Sequence, residues 1–166
     1  MIDYDKTAQP ISTIHLGADH AGYELKEAIK DYLEKMHYHV MDHGAFEYDE
    51  DDDYPDFCAP VGQAVSVDAE SRGIVIGGSG QGEAMAANRY ANVRAMVFNG
   101  QYEPYDGREV PNEIVTSRQH NDSNVLSLGA RFLSEEEAIE ATQLWLETGF
   151  SEDERHQRRI EKIEDC

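Results

Sequence analysis

The chain alternates short apolar runs with longer amphipathic stretches. ISTIHLGAD, residues 11–19, reads as a strand entering a Gly-containing turn. From Gly22 to Met36, the residues Leu25, Ala28, Ile29, Tyr32, Leu33 and Met36 recur at helical spacing. A short strand around His39 to Met41 follows, then an acidic loop from Gly44 through Asp53. Tyr54-Pro55 opens a helix, since proline suits a first turn, and Phe57, Val61, Ala64 and Val65 give it an apolar stripe. Gly73 to Ile76 is short, β-branched and flanked by glycine, the pattern of a strand buried on both faces. After Gly77 to Gly82 come a helical stretch, Glu83 to Tyr90, and a strand, Val93 to Phe98. Residues 99–113 are rich in turn formers and predict an irregular surface loop. Asn124 to Leu128 is the last strand. Ser134 and Glu137 form a capping box for a helix carrying Ala138, Ile139, Ala141, Thr142, Trp145 and Leu146, ended by Gly149. The charged tail, residues 151–166, predicts a final helix with little apolar surface.

Strands thus alternate with helices about five times, which predicts an α/β fold: one parallel sheet with helices on both faces. No repeat or linker interrupts it. The expected organisation is a loose leader, residues 1–11, and a single doubly wound domain, residues 12–166, with a C-terminal helical tail.

Charge narrows the partners. Among 166 residues, 34 are Asp or Glu and only 14 Lys or Arg, a net charge of −20, which repels nucleic-acid phosphates and anionic membranes. No apolar run approaches the roughly 20 residues of a membrane span. The start, MIDYDKTAQP, is polar and acidic, unlike a signal peptide. Two cysteines, Cys58 and Cys166, make no disulfide framework, and a cytoplasmic setting is the expectation.

The glycine-rich segment is the strongest chemical signal. Ligands of a doubly wound sheet bind beyond the carboxyl ends of its strands, where Gly77 to Gly82 lies. Its N–H groups suit an anion nest. A dinucleotide fingerprint fails, because the glycine required at position 83 is glutamate. A phosphate loop would need lysine there, and a carboxylate opposes a triphosphate. Glu83 beside preorganised donors is instead what proton abstraction next to a carbonyl requires. The plainer alternative is a tight strand–helix turn with a glutamate favoured by the helix dipole.

Other residues join this rim by position. Asp19 and His20 follow the first strand, and Arg131 follows the last. His120 and Asn121 precede the last strand, while Arg155 and Arg159 share a face of the tail helix. Arginine forks suit phosphate; solvated pairing with the tail's own carboxylates is the plainer use.

Several words, taken together, resemble the ribose-5-phosphate isomerase B family, which includes galactose-6-phosphate isomerase subunits. They are GADHAGYELK (Gly17 to Lys26), DYPDF (Asp53 to Phe57), GGSGQGE (Gly77 to Glu83) with AAN ending at Asn88, SRQHND (Ser117 to Asp122), LGAR (Leu128 to Arg131) and RHQRR (Arg155 to Arg159). The resemblance implies a Rossmann-like three-layer sandwich with a five-stranded parallel sheet. It implies a cofactor-free aldose–ketose isomerase of the non-oxidative pentose phosphate pathway, working through a cis-enediol as a homodimer with shared active sites, or a tetramer. By position, His120 would open the sugar ring with Asp19 in support, and Glu83 would move the proton between C2 and C1. Ser79 would pass a proton between O1 and O2 while the N–H groups of Gly78, Gly80 and Gly82 hold the enediolate. Arg131, Arg155, Arg159 and His20 would hold phosphate, and Asn121 and Tyr54 would contact the sugar. Many relatives place a catalytic Cys where this chain has Gly77, so the chain resembles the branch that uses glutamate. The stretch from Asn99 to Glu113 is longer than the family pattern, which leaves a six-carbon sugar phosphate, or a non-catalytic binding module, as alternatives.

Seven histidines invite a metal reading, with His37, His39 and His43 near Asp42 and the acidic run Asp49 to Asp53. No paired metal motif accompanies them, so no metal is expected. His15, in the first strand, is expected to be a hydrogen-bonded structural residue.

Overall fold

The computed structural model describes residues 10–166. Residues 1–9 of the expected leader lie outside the described residues. The elements are β1 (Ile14–Ala18), α1 (Tyr23–Lys35), β2 (Val40–Asp42), α2 (Pro55–Val67), β3 (Arg72–Gly77), α3 (Gln81–Ala87), β4 (Ala95–Phe98), α4 (Glu113–Asn121), β5 (Val125–Gly129), α5 (Glu135–Glu147) and α6 (Glu154–Glu164). The five strands are all parallel, in the order β2-β1-β3-β5-β4, giving the doubly wound α/β sheet that the alternation predicts and the Rossmann-like sandwich that the resemblance implies. From β1 the chain crosses to β2 on one side, and β3 then lies on the other. The crevice between the carboxyl ends of β1 and β3 is therefore the switch point at which such sheets bind ligands.

Burial follows from this layering. Every residue of the central strand β3 is buried, which its glycine-flanked β-branched run requires. One face packs Ile14, Leu16, Ile74, Ile76, Leu126 and Leu128 against Ile29 and Leu33 of α1, Ile114 of α4 and Trp145 of α5. The other packs Val75 and Val125 against Cys58, Val61 and Val65 of α2 and Ala87 of α3. The capping box at Ser134 is formed. Trp145 Nε1 donates to Ser123 Oγ at 2.9 Å, so its one polar atom is satisfied inside the core.

Three elements differ from the sequence reading. Helix α3 is Gln81–Ala87, not Glu83 to Tyr90: it starts inside the glycine segment and stops where Asn88 turns its side chain to β4. There Ala95 N donates to Asn88 Oδ1 at 2.7 Å and Asn88 Nδ2 donates to Ala95 O at 3.0 Å. Strand β4 begins at Ala95 rather than Val93. Helix α4 occupies the stretch between the expected loop and the last strand, where no helix was expected. Its pattern hides it, because its buried face includes Ser117 and Arg118 as well as Ile114 and Val115. Arg118 is buried with its charge paired to Asp122 at 2.8 Å and its Nε donating to Thr148 O at 3.0 Å. Lys26 is likewise fully buried, held by Asp42 at 2.8 Å.

Candidate functional site

The turn after β3 owes its shape to two glycines. Gly80 has φ +74°, a left-handed conformation that costs an L side chain about 1–2 kcal/mol; Ser127 Oγ donates to its carbonyl at 2.6 Å and pins it to β5. At Gly77, a Cβ would fall inside the carboxylate of Glu83, so the buried Glu83 side chain occupies the space that glycine leaves. Backbone N–H groups of Ser79, Gly80 and Gly82 have no carbonyl partner among the described residues. They lie in the loop and first turn of α3, where a helix leaves its donors open. The Ser79 hydroxyl accepts from Gln81 N at 3.4 Å, and Ser79 O accepts from Asn99 Nδ2 at 3.0 Å.

Neighbouring elements close around this turn. Ala130 N donates to Gly77 O at 2.8 Å and Arg131 N to Gly78 O at 3.2 Å. The Arg131 guanidinium lies over Gly78, where a Cβ would come within 2.9 Å of its Cζ. It forms no ion pair among the described residues. The Tyr54 ring, at the start of α2, sits against Gly82 in the same way, with a Cβ there 2.7 Å from Tyr54 Cζ. Across the switch point, Asp19 is 7% exposed and its Oδ1 accepts from Ala21 N and Gly22 N at 3.0 and 3.3 Å. His20 pairs with Asp52, Nδ1 to Oδ1 at 2.7 Å.

The electrostatics favour a basic carboxylate. Burial pushes the Glu83 carboxyl above its ordinary value; the charge of Asp19 adds to this, while its own backbone N–H and Arg131 oppose it. Cys58 lies behind the site with its thiol pushed up, by burial first and then by Glu83 and Asp19, and it stays protonated. Among the described residues, Asp19, His20 and Asp52 are the group whose donor atoms are close enough, within 4.8 Å, to share a cation. Asp19 Oδ1 accepts from the turn, and Asp52 Oδ1 from His20. Two of the histidines considered as ligands, His39 and His43, turn elsewhere. His39 Nδ1 is 3.1 Å from Thr13 Oγ1, and His43 Nε2 is 2.9 Å from His15 Nδ1, the structural bond expected of His15.

The remaining expected residues are not here. Arg94 and Asn124 precede parallel strands β4 and β5, and Arg94 Nε donates to Asn121 O at 3.0 Å, which puts Asn121 at the amino ends of the strands. His120 stacks on His156 with centroids 4.2 Å apart, and Arg155 Nε lies 3.2 Å from His156 Nε2. Arg155 and Arg159 are exposed. A five-residue strand spans about 16 Å, so His120, Asn121, Arg155 and Arg159 stand a sheet's depth from Glu83. Sequence position had suggested arginines gathered at one rim; α4 runs the depth of the sheet and carries its last residues to the other. One residue that sequence reasoning missed is Asp52, hidden within a run of five carboxylates.

The profile of the Ribose/Galactose Isomerase family matches residues 14–163. The chain is 38% identical to the ribose-5-phosphate isomerase B of Mycobacterium tuberculosis H37Rv over 149 residues, 89% of this chain and 85% of that one. It is 38% identical to that of Escherichia coli K12 over 150 residues, 90% and 93% of the two chains. Among solved structures, ribose-5-phosphate isomerase B of Mycoplasma genitalium with bound ribulose 5-phosphate superposes with a TM-score of 0.82 at 34% identity, covering 92% of this chain and 94% of that one. The Clostridium thermocellum enzyme gives 0.81 at 38% identity, covering 92% and 95%.

Proposed function

Because the chain belongs to the ribose/galactose isomerase family, we propose that it is a ribose-5-phosphate isomerase whose base is Glu83. It interconverts ribose 5-phosphate and ribulose 5-phosphate. The observation that carries the assignment of the base is a buried carboxylate seated over Gly77 beside unpartnered N–H groups.

Starting from the aldose, Glu83 takes the proton from C2 of the open-chain sugar. The electron pair moves onto the C1 carbonyl, and the loop N–H groups meet the charge that develops on O1. Ser79 passes the O2 proton to O1, and Glu83 returns its own proton to C1, giving the ketose. Only protons move, so the scheme draws on no cofactor. A carboxyl raised by burial is the stronger base, which suits proton abstraction beside a carbonyl. Arg131 and His20 receive the phosphate, and Tyr54 lies along the sugar.

Given the depth of the sheet between them and Glu83, ring opening by His120 and phosphate contacts from Arg155 and Arg159 come from a second protomer, with Asp19 in support from the protomer that supplies Glu83. A homodimer that brings the amino-end group of one copy to the glycine turn of the other completes the site. Mass measurement in solution distinguishes a dimer from a tetramer built of two such dimers. Two thiols, one buried and one terminal, fit a reducing, cytoplasmic setting.

The test follows ketose formation from ribose 5-phosphate with EDTA present and Glu83→Gln alongside. Turnover is expected to survive chelation and to fall on the order of 10³-fold in the variant, with little change in affinity. Near-normal turnover in Glu83→Gln would sink the assignment of the base. A wild-type protein inactive on ribose 5-phosphate but active on allose 6-phosphate would shift the substrate to six carbons, a reading favoured by one observation: residues of the long stretch, Gln101 to Pro104, line a groove of about 470 Å³ with Asn121. Binding without turnover of either sugar would leave a binding module.

A further inference from the structure

Of the five carboxylates from Asp49 to Asp53, four are exposed, and Asp52 alone turns inward, its side chain 9% exposed. Its Oδ1 accepts two hydrogen bonds from one residue, from His20 N at 3.0 Å and from His20 Nδ1 at 2.7 Å. Holding both main chain and ring fixes the rotation of the imidazole as well as its tautomer: Nδ1 is a donor, and Nε2, on the opposite edge, has no partner among the described residues. Asp52 Oδ2 is buried without a hydrogen-bond partner, and among the described residues His20 is the only basic side chain paired with the carboxylate. Exposed solvating carboxylates need no such arrangement; a buried one with a single basic partner is there for that partner.

We propose that Asp52 is a positioning residue that fixes the His20 imidazole with Nε2 presented to the sugar's phosphate, beside the free guanidinium of Arg131. This rests on the sugar-phosphate reading of the site. The groups facing His20 are Asp52 from the loop before α2, Asp19 after β1, Arg131 after β5 and the edge-on ring of Tyr48, 6.1 Å away. The Asp52 hydrogen bond raises the His20 pKa; slight burial opposes it, Asp19 adds to it, and Arg131 lowers it. Asp52 therefore keeps His20 a cation at a pH where a free imidazole is losing its charge. A clamped imidazolium next to an arginine is a receptor for a dianion. An Asp–His pair is also the arrangement of an acid–base dyad; the two uses differ in what the pair acts upon, phosphate affinity or turnover.

Calorimetric titration of the intact protein with inorganic phosphate, at pH 6 and pH 8, separates them, with ribose 5-phosphate kinetics in parallel. Asp52→Asn keeps an acceptor and removes the charge. Its phosphate Kd is expected about tenfold weaker than wild type at pH 8 and close to wild type at pH 6, where His20 is protonated without help. Asp52→Ala loses the anchor too and is expected to be weaker at both pH values. In both variants KM should rise more than kcat falls. If Asp52→Ala fails to fold, the pH dependence of Asp52→Asn decides alone. Phosphate affinity unchanged in Asp52→Asn at pH 8 would overturn the proposal. So would a hundredfold loss of kcat with phosphate affinity intact, because His20 would then be acting in acid–base chemistry. Wild-type protein that binds phosphate through the Asp52-dependent site but turns over no ribose 5-phosphate would overturn the isomerase reading and leave the clamp standing.

Discussion

At the carboxyl ends of the strands, Glu83 and Asp19 are 4% and 7% exposed and boxed in by main chain: Gly77 beneath one, the Ala21 and Gly22 N–H groups around the other. At the amino ends, Arg155 and Arg159 stand on α6, a helix whose only buried residue is His156. The first group takes its geometry from the core, so its placement is coupled to folding. The second rides on the surface: both arginines are exposed, and Arg155 rests against the buried His156 through its Nε, so ordering the long side chains on a ligand costs conformational entropy. Proton transfer tolerates little misplacement, whereas a phosphate anchor can adjust. On the proposed roles, the molecule places its base rigidly and its phosphate arginines loosely, as that difference requires.

The sharpest way to break this contrast is at Gly77. Gly77→Ala puts a methyl group into the volume of the Glu83 carboxylate, and we expect turnover to drop roughly 10²-fold or more with about 1–3 kcal/mol of destabilisation. Turnover assays and thermal melts read both effects at once. Glu83→Gln should part them: since burial disfavours the Glu83 charge, the inactive variant should melt at or above the wild-type temperature. A melt well below wild type would mean that the carboxylate is structurally required.

Complementation sharpens the contrast further. Glu83→Gln and the double variant Arg155→Ala/Arg159→Ala damage opposite ends. Mixed after dissociation, two individually inactive proteins should regain about a quarter of wild-type activity, because half the dimers are mixed and each has one intact site. No recovery, with exchange of subunits verified by mass, would confine each site to one protomer. Arg159→Ala alone is a smaller perturbation. Its KM should rise roughly tenfold, with kcat less affected and no change in melting temperature.

The smallest expected effect concerns pH and lies outside the site. Burial holds the His15 and His43 pKa values below the ordinary value. The unfolded chain therefore takes up protons first, and stability should fall as pH drops below about 6.5. His20 has the opposite sign: raised by Asp52, its contribution is present below that value and is lost as pH rises through its raised pKa. Being only partly buried, it should count for less. Melts between pH 8 and pH 5.5 should show a decline that His43→Gln flattens; equal slopes would remove the buried pair as the cause.

Much of the fold was legible because period and composition report burial directly. Glycine-flanked β-branched runs gave the central strand, and helical spacing gave α1 and α5. Helix α4 was not legible, since two polar residues sit on its buried face: Arg118 through a hydrogen bond to the distant carbonyl of Thr148, and Ser117 through one to Ile114 a turn back. Asp52 was hidden for a related reason: five adjacent carboxylates look alike, and only the return of the loop against β1 singles one out. The role of Gly77 was visible as a glycine at a strand end, but not that Glu83 fills its missing side chain.

By itself the sequence determined the alternation of strands and helices, the glycine turn at a strand's carboxyl end, the glutamate that follows it, and the family. Those are local patterns, set by period, backbone freedom and residue chemistry within a few positions. Only the tertiary structure decided which of the expected residues share an end of the sheet. Parallel crossovers send α4 down the depth of the sheet, so residues close to β5 in sequence finish opposite the turn that β5 supports. That separation is a property of the packed layers, and no spacing along the chain encodes it.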